Sequence, residues 1–244
     1  MSLAIDRLAA ASRWRRRGLG EKSLLALGLL ALALALPPWP AAALVLAFAW
    51  TAALAGARVP PGAWLRLVAG PFGFALTATA ALAVEIGPDG IALAADGGRA
   101  ALLALLRASA ALSCLLLLAV TCPAPDLVRG LRRLGVPAEI VEIALLIWRF
   151  LLLLLDSAAA IRTAQTARLG WQGWRRSLRS LGLLIALLLP RAMERARRLE
   201  VGLAARGFDG SLPVLRPTAA LSWGFIAATL TLEAGIAGIG LWWN

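Results

Sequence analysis

Residues 100–120 read AALLALLRASAALSCLLLLAV, and the single charge in this run is Arg107. About 20 apolar residues are enough for an α-helix to cross the hydrocarbon core of a bilayer, where every backbone polar group must be paired within the protein. The rest of the chain shares this character, because 61% of its 244 residues are hydrophobic and the mean hydropathy is +0.81. These values exceed those of a soluble domain of this size. The sequence therefore predicts an all-α integral membrane protein.

Apolar segments predict five transmembrane helices, at residues 24–36, 41–57, 67–84, 100–120 and 218–243. The first two segments are short and meet at Pro37-Pro38-Trp39-Pro40, so we expect tilted or incomplete crossings there. These segments predict an N-terminal region with four spans (1–122), a region between the fourth and fifth spans (123–217) and a C-terminal span (218–244). We expect the N-terminus to be retained, because no clear small-residue cleavage site follows the first segment.

The charges between the segments predict the orientation. Five basic residues lie between Arg13 and Lys22, before the first segment, whereas the connection after the third segment carries three acidic residues and one arginine. Positive charge is retained on the cytoplasmic side of bacterial membrane proteins. We therefore expect the N-terminus and residues 123–217 in the cytoplasm, and the C-terminus outside.

Residues 123–217 carry 15 arginines against seven acidic residues, which leaves a net charge of +8. Two apolar stretches in this region, 143–155 and 181–189, are too short for full spans, and Arg149 interrupts the first. If both crossed the membrane, the arginines between them would lie outside, against the charge rule. We interpret the region as long amphipathic helices that lie beneath the membrane or partly in it.

Individual residues in this region predict where its helices begin and end. Pro137 is followed by acidic residues in the first turn, which predicts a helix about 48 Å long from there to Leu169. Gly170 and Gly173 are expected to end it, and Trp171 and Trp174 beside them suit the lipid headgroup level. A second amphipathic helix is predicted over residues 190–205, with its apolar stripe at Ala192, Ala196, Leu199 and Leu203.

One arginine closes the apolar stripe of each predicted helix. Arg168 lies seven residues after Ile161, and Arg206 lies seven residues after Leu199. A glycine follows each arginine within two residues, as is usual where a helix ends in the left-handed conformation. Each arginine is therefore predicted at a helix tip, where a planar guanidinium can bind a carboxylate through two hydrogen bonds. Attachment of both helices to anionic lipid is the alternative, and it explains the charge but not this placement.

Several functions are disfavoured by what the sequence lacks. There is no histidine, and Lys22, the only lysine, lacks the glycines of a phosphate-binding loop. Cys114 and Cys122 do not have the spacing of a metal site. We expect no catalytic residue, no cofactor and no metal site in this chain.

Three ionisable residues in or near the predicted spans are candidates for a role inside the membrane: Glu85, Arg107 and Glu233. A position near the interface explains the two glutamates equally well. Pairing with a carboxylate on another helix is the expectation for Arg107, with no partner assigned.

Six motifs, taken in order, resemble the transmembrane T component of energy-coupling-factor (ECF) transporters, with the cobalt-type Q subunit as the nearest branch. The likeness covers nearly the whole chain and is specific over residues 121–210. The motifs are Ile5-Asp6-Arg7, Gly20-Glu21-Lys22, LRRLGVP (131–137), Trp148-Arg149-Phe150, RTAQTARLG (162–170) and ARGFDG (205–210).

The resemblance implies a non-catalytic coupling subunit of an ATP-driven importer, multi-pass in the bacterial cytoplasmic (inner) membrane. Its implied partners are a dimer of ABC-type ATPases, which bind ATP, and a membrane S component, which binds cobalt. A small accessory membrane subunit is a further possible partner, and nucleic acid is not expected as one. Docking on the ATPases is assigned by resemblance to Ala167-Arg168-Leu169 and Ala205-Arg206-Gly207, although many members have a residue smaller than Leu169.

Other functions remain open from the sequence. Nickel or a vitamin is an equally possible cargo, because another chain would bind it. A secondary transporter working alone should show inverted repeats and polar groups at the membrane midplane, and we find no repeat and few such groups. A basic module that binds acidic lipid or nucleic acid would tolerate shuffling of its arginines.

Overall fold

The computed structural model describes residues 4–87, 90–93, 96–207 and 222–243. These residues are mainly helical, which confirms the all-α class predicted for the chain. The chain divides into two compact units. We call Ala4–Leu127 with Thr218–Asn244 the bundle unit, and Val128–Pro217 with Met1–Leu3 the arm unit.

The bundle unit contains the apolar helices, with a kink before the third. Trp39 interrupts the helical backbone with φ −111° and ψ 129°, at the prolines where the sequence predicted a break. The helices are α1 (Ala4–Ala11), α2 (Leu19–Ala35), α3 (Ala43–Thr51, flanked by π-helical turns over Pro38–Ala42 and Ala52–Gly56), α4 (Pro61–Ala80), α5 (Gly97–Thr121), α6 (Ala124–Gly130, which extends into the arm unit) and α9 (Trp223–Trp242).

Helix α5 is the central element of the bundle unit. It packs against α1, α2, α3 and α4, and α9 packs against α2. Many of the fully buried residues are alanines, and larger buried side chains such as Leu29, Trp64 and Leu117 fill the space between them. Small residues let helix backbones approach closely, which is the usual basis of helix association in membranes.

Three segments of the described chain are long and apolar enough to cross a membrane: Pro38–Gly56, Gly97–Thr121 and Trp223–Trp242. They correspond to the second, fourth and fifth predicted spans. The first and third predicted spans correspond to α2 and α4. These two helices do not combine the length and the apolar content that a full crossing requires. The structure therefore supports a membrane protein, and the count of five spans stays a prediction.

The predicted span at 67–84 had the wrong boundaries. Helix α4 begins at Pro61, because a proline with its fixed φ fits the first helical position. It ends at Ala80, and Val84–Gly87 (β1) pairs antiparallel with Gly90–Leu93 (β2). Val84 and Ile86 favour an extended backbone, which the search for apolar runs did not weigh. Glu85 therefore lies in a strand of this hairpin and not in a helix.

The arm unit consists mainly of two long helices that pack on each other, α7 (Ala138–Ala167) and α8 (Trp174–Ala204). Helix α7 matches its prediction closely. The predicted start of the second helix at Pro190 was wrong, since α8 begins at Trp174 and contains Pro190. Leucine, alanine and arginine on both sides of Pro190 have high helix propensity. The helix therefore continues through Pro190 although proline removes one backbone hydrogen bond.

The N-terminal segment packs against the connection between α3 and α4. Trp14 lies in a 3₁₀ turn (Arg13–Arg16) and is buried, with its ring edge-on to Phe225 at a centroid distance of 5.5 Å. The backbone N–H of Arg13 donates to the carbonyl of Ala57 at 3.2 Å. A Cβ added at Gly56 would lie 2.5 Å from Cζ2 of Trp14, so only glycine fits beneath the indole.

We predict that Gly56→Ala displaces Trp14 and destabilises the protein, since overpacking a buried site costs about 1–3 kcal/mol. Thermal unfolding in detergent measures the effect. Gly70→Ala is the matched control, because a Cβ at Gly70 in α4 would meet no atom within 4 Å. Equal unfolding temperatures for the two variants would contradict the packing assigned to Trp14.

Candidate functional site

The first predicted tip lies where α7 ends. Arg168 follows the last helical residue, and its N–H donates to the carbonyl of Gln165 at 3.2 Å. Its side chain is exposed, whereas Ile161, seven residues earlier on the same stripe, is buried. The guanidinium therefore lies at the solvent-exposed end of a 30-residue helix.

Leu169, and not Gly170, adopts the left-handed conformation at this tip. Its φ is +57°, where a side chain other than glycine costs about 1–2 kcal/mol. The sequence prediction that a glycine ends this helix in the left-handed region was therefore wrong for α7. Gly170 is needed for a different reason, because a Cβ there would lie 2.8 Å from Oγ of Ser180 and 3.0 Å from the carbonyl oxygen of Gln165.

Hydrogen bonds among Gln165, Gly170 and Ser180 fix the turn between α7 and α8. The N–H of Gly170 donates to the carbonyl of Gln165 at 2.8 Å. Ser180 Oγ donates to the carbonyl of Gly170 at 2.8 Å, and Gln165 Nε2 donates to the carbonyl of Ser180 at 2.9 Å. Because Ser180 is buried, these bonds are shielded from competing water. Arg168 is therefore attached to a turn with a defined geometry.

The two tryptophans of this turn have different surroundings. The guanidinium of Arg162 lies over the ring of Trp171, 5.3 Å from its centroid. Trp174, the first residue of α8, is 76% exposed. A large exposed indole beside a cation–π pair suits the headgroup level of a membrane, where the sequence placed both tryptophans.

The second predicted tip lies where α8 ends. The N–H of Arg206 donates to the carbonyl of Leu203 at 3.0 Å, and that of Gly207 to Ala204 at 3.1 Å. Gly207 has φ +68°, so here the glycine does take the left-handed conformation. The side chain of Arg206 is exposed, while Leu199 and Leu203 are partly buried. The motif residues Phe208-Asp209-Gly210 lie outside the described residues.

The two arginines lie at opposite ends of α8, since Arg168 precedes its first residue and Arg206 follows its last. A straight helix of 31 residues is about 46 Å long. One small acidic group cannot reach both guanidinium groups over this length. The arrangement fits two separate binding sites.

Sequence reasoning missed a buried polar cluster in the bundle unit. Lys22 is 4% exposed and donates from Nζ to the carbonyl of Thr121 at 3.0 Å. Glu21 is 3% exposed, and its Oε1 accepts from the N–H of Ser222 at 2.6 Å. Burial lowers the pKa of Lys22, and the nearby Cys122 and Asp126 act in the opposite direction. In the sequence, only the resemblance at Gly20-Glu21-Lys22 indicated that these two residues have a special role. The rule that places positive charge in the cytoplasm treats Lys22 as an exposed cation, so it did not predict the burial of Lys22.

Arg107 and Glu233 also have assigned surroundings in the bundle unit. Arg107 Nη2 donates to the carbonyl of Leu36 at 2.7 Å. Arg107 therefore bonds to the end of α2, where free carbonyls attract a cation, and not to a carboxylate on another helix as predicted.

The carboxylate of Glu233 packs against Gly28, where an added Cβ would overlap it. Its Oε1 is buried and has no hydrogen-bond partner among the described residues.

No group of three or more histidine, cysteine, aspartate and glutamate side chains comes together in a way that could hold a metal ion within the part of the chain that the structure describes. Cys114 and Cys122 are both buried free thiols.

Comparison with known proteins gives consistent similarities. The family model for the cobalt transport protein CbiQ matches residues 11–216. A cobalt transport protein CbiQ from Rhodobacter capsulatus is 52% identical over 242 residues, which cover 99% of each chain. Another, from Salmonella typhimurium, is 33% identical over 219 residues, which cover 84% of this chain and 97% of that protein. A putative fused cobalt transport protein CbiMQ from Methanocorpusculum labreanum is 27% identical over 66% of this chain and 29% of its own length.

The left-handed Leu169 generates a prediction about the first tip. We expect Leu169→Gly to keep the turn and to slow amide hydrogen exchange at Gly170, because glycine adopts φ +57° without steric cost. We expect Leu169→Val to accelerate that exchange, because a β-branched side chain is disfavoured in this conformation. Hydrogen–deuterium exchange of peptides covering residues 165–175 measures both. Equal exchange in the two variants would contradict the strained turn.

Proposed function

Because this chain belongs to the CbiQ family of cobalt transport proteins, we propose that it is the transmembrane coupling subunit of an ATP-driven ECF-type cobalt importer. Two cytoplasmic ABC-type ATPases bind and hydrolyse ATP, and a membrane S component binds cobalt. This chain joins the two and has no catalytic role. The observation that carries the proposal is the presence of two exposed arginines at opposite ends of one long helix.

The geometry of the tips supports docking on a pair of ATPases. Arg168 and Arg206 are exposed, and hydrogen-bonded turns hold the backbone that carries them. A guanidinium held in this way loses little freedom when it binds a carboxylate through two hydrogen bonds. The separation of the tips, about 46 Å along a straight α8, suits one docking groove on each subunit of a dimer. We therefore assign Ala167-Arg168-Leu169 to one ATPase and Ala205-Arg206-Gly207 to the other.

Helices α7 and α8 supply the mechanical link in this proposal. Closure of the ATPase dimer on ATP would move the two docked tips. Helices α7 and α8 have 30 and 31 residues and contact each other. In this proposal they carry such a displacement as nearly rigid bodies. The displacement would then reach the S component and change its access to cobalt.

The relatives favour cobalt over nickel or a vitamin as the cargo, because the two CbiQ relatives are named cobalt transport proteins. The relative described as a putative fused CbiMQ protein resembles this chain over only 29% of its length. We propose that the rest of that longer chain corresponds to a membrane partner, an S component with or without a small accessory subunit, that is separate here.

The orientation is also part of the proposal. The basic residues before α2 and the +8 charge of residues 123–217 favour the cytoplasmic side of the bacterial inner membrane. This places both arginine tips on the side where ATPases and ATP are found.

We predict that Arg168→Glu with Arg206→Glu abolishes binding of the ATPases while the chain remains inserted and folded. Breaking a desolvated charged contact costs about 2–5 kcal/mol, and charge reversal adds repulsion. Each single variant should weaken binding, and the double variant should abolish it. Co-purification of the ATPases from membranes measures assembly, and thermal unfolding measures folding.

Arg195→Glu with Arg197→Glu is the matched control, since both side chains are exposed on α8 and the charge change is identical. Arg198 is avoided because it pairs with Glu194 at 3.4 Å. Loss of ATPase binding in the control pair equal to that in the tip pair would show diffuse electrostatics and contradict docking at the tips.

The orientation gives a further prediction. In a background that lacks Cys114 and Cys122, we expect Gln172→Cys in the exposed α7–α8 turn to react with an impermeant thiol reagent only after the cells are permeabilised. Asn244→Cys should react in intact cells. Labelling of Gln172→Cys from outside intact cells would overturn the topology.

A further inference from the structure

The bundle unit runs past the end of α5 to Leu127 and resumes before α9. The first turn of α2 contacts the end of α5 and the start of α9. At the end of α5, Nζ of Lys22 donates to the carbonyl of Thr121, the last residue of this helix. The carbonyls in the last turn of a helix have no partner within the helix. A buried ammonium at this end is favoured by the negative end of the helix dipole.

At the start of α9, the neighbouring residue makes the equivalent contact. Oε1 of Glu21 accepts from the N–H of Ser222, the residue that caps the start of α9. A carboxylate at this position is favoured by the positive end of the helix dipole. Arg17 reinforces the contact, with Nη1 3.8 Å from Oε2 of Glu21 and its guanidinium 4.2 Å from the centroid of the Phe225 ring in α9.

A third contact lies beside these two. Oδ1 of Asp6 accepts from the N–H of Ala124 at 3.3 Å, at the start of α6. The N-terminal residues thus cap the end of α5 and the starts of α6 and α9. In sequence, the end of α5 and the start of α6 precede residues 128–217 of the arm unit, and the start of α9 follows them.

The cost of this arrangement indicates a role beyond stability. Glu21 and Lys22 are almost fully buried. The free-energy cost of removing two charges from water is offset only when each charge has well-placed partners. Apolar residues of similar volume often give equal or greater stability at such sites. What apolar residues cannot provide is a directed bond to two separate helix ends. Consecutive residues of a helix point about 100° apart, so one turn of α2 reaches both.

We propose that Glu21 and Lys22 form a clamp that holds the end of α5 and the start of α9 against α2, and that this clamp is required to convert tip displacement into movement of the bundle. They are positioning residues, because they touch neither ATP nor cargo. The coupling part of this inference rests on the proposed function. Without the clamp, displacement of the tips would be absorbed at the ends of α5 and α9.

Hydrogen–deuterium exchange on the whole chain in nanodiscs tests the clamp itself. We expect Lys22→Met to accelerate exchange in the last turn of α5 about tenfold, the effect of losing a hydrogen bond to a charged group. Glu21→Ala should do the same in the first turn of α9 and leave α5 unchanged. Arg66→Met, which removes an exposed cation from α4, is the control. Unchanged exchange at both helix ends would overturn the clamp.

Transport by the assembled complex tests the coupling role. The chain is reconstituted with its ATPases and S component, and cobalt uptake and ATP hydrolysis are measured together. We expect Lys22→Met to raise the ATP hydrolysed per cobalt about fivefold, at the lower end of typical coupling between sites, with assembly retained. Lys22→Arg, which keeps a cationic donor, should restore most of the coupling. If Lys22→Met does not insert, Glu21→Ala is measured in its place with the same expectation.

The outcomes separate the two proposals. Uptake and hydrolysis that fall together, in proportion to the loss of assembled complex, would show a structural role only and overturn the coupling role of the clamp. Failure of the unaltered chain to bind any ATPase would overturn the proposed function and the coupling role with it. The exchange experiment on the chain alone would still decide whether the clamp exists.

Discussion

Helix ends in an apolar bundle expose backbone groups that water cannot satisfy, and the arrangement of this chain depends on how they are paired. Arg107 of α5 pairs with the end of α2, Lys22 of α2 pairs with the end of α5, and Glu21 pairs with the start of α9. Each contact joins residues far apart in sequence. The charged residues of the bundle unit therefore fix which helix ends lie side by side, while alanine and glycine determine how closely the helices pack.

The same constraint places the proposed docking site. In the turn between α7 and α8, the carbonyl of Gly170 accepts a hydrogen bond from the side chain of the buried Ser180. This bond requires glycine at residue 170, and the left-handed backbone falls on Leu169 instead. Arg168 thus precedes a turn whose geometry is set by its neighbours. A rigid tip of this kind can transmit force, because its position is defined relative to both helices.

Local signals in the sequence were sufficient for part of the fold. Pro137 and its acidic neighbours marked the start of α7, and helical spacing from apolar residues singled out Arg168 and Arg206. Features that depend on tertiary contacts were missed. Helix α8 begins at Trp174, directly after Gly173, and continues through Pro190, which was wrongly predicted as the start of the helix. The hairpin after α4 begins at Val84, the last residue of a predicted span, and otherwise lies in the connection, for which no strand was predicted from the sequence. Glu21 and Lys22 carry no periodic signal, and only the folded chain brings them to Ser222 and Thr121.

Contact between each tip and an ATPase is the central claim, and site-specific photo-crosslinking measures it most directly. A photoreactive residue in place of Ala167 or Ala205 lies beside each arginine on an exposed surface without removing the guanidinium. In membranes that contain the whole transporter, we predict that each position forms a covalent adduct with an ATPase subunit. Adducts with lipid alone at either position, while ATPase is present and active, would contradict the claim.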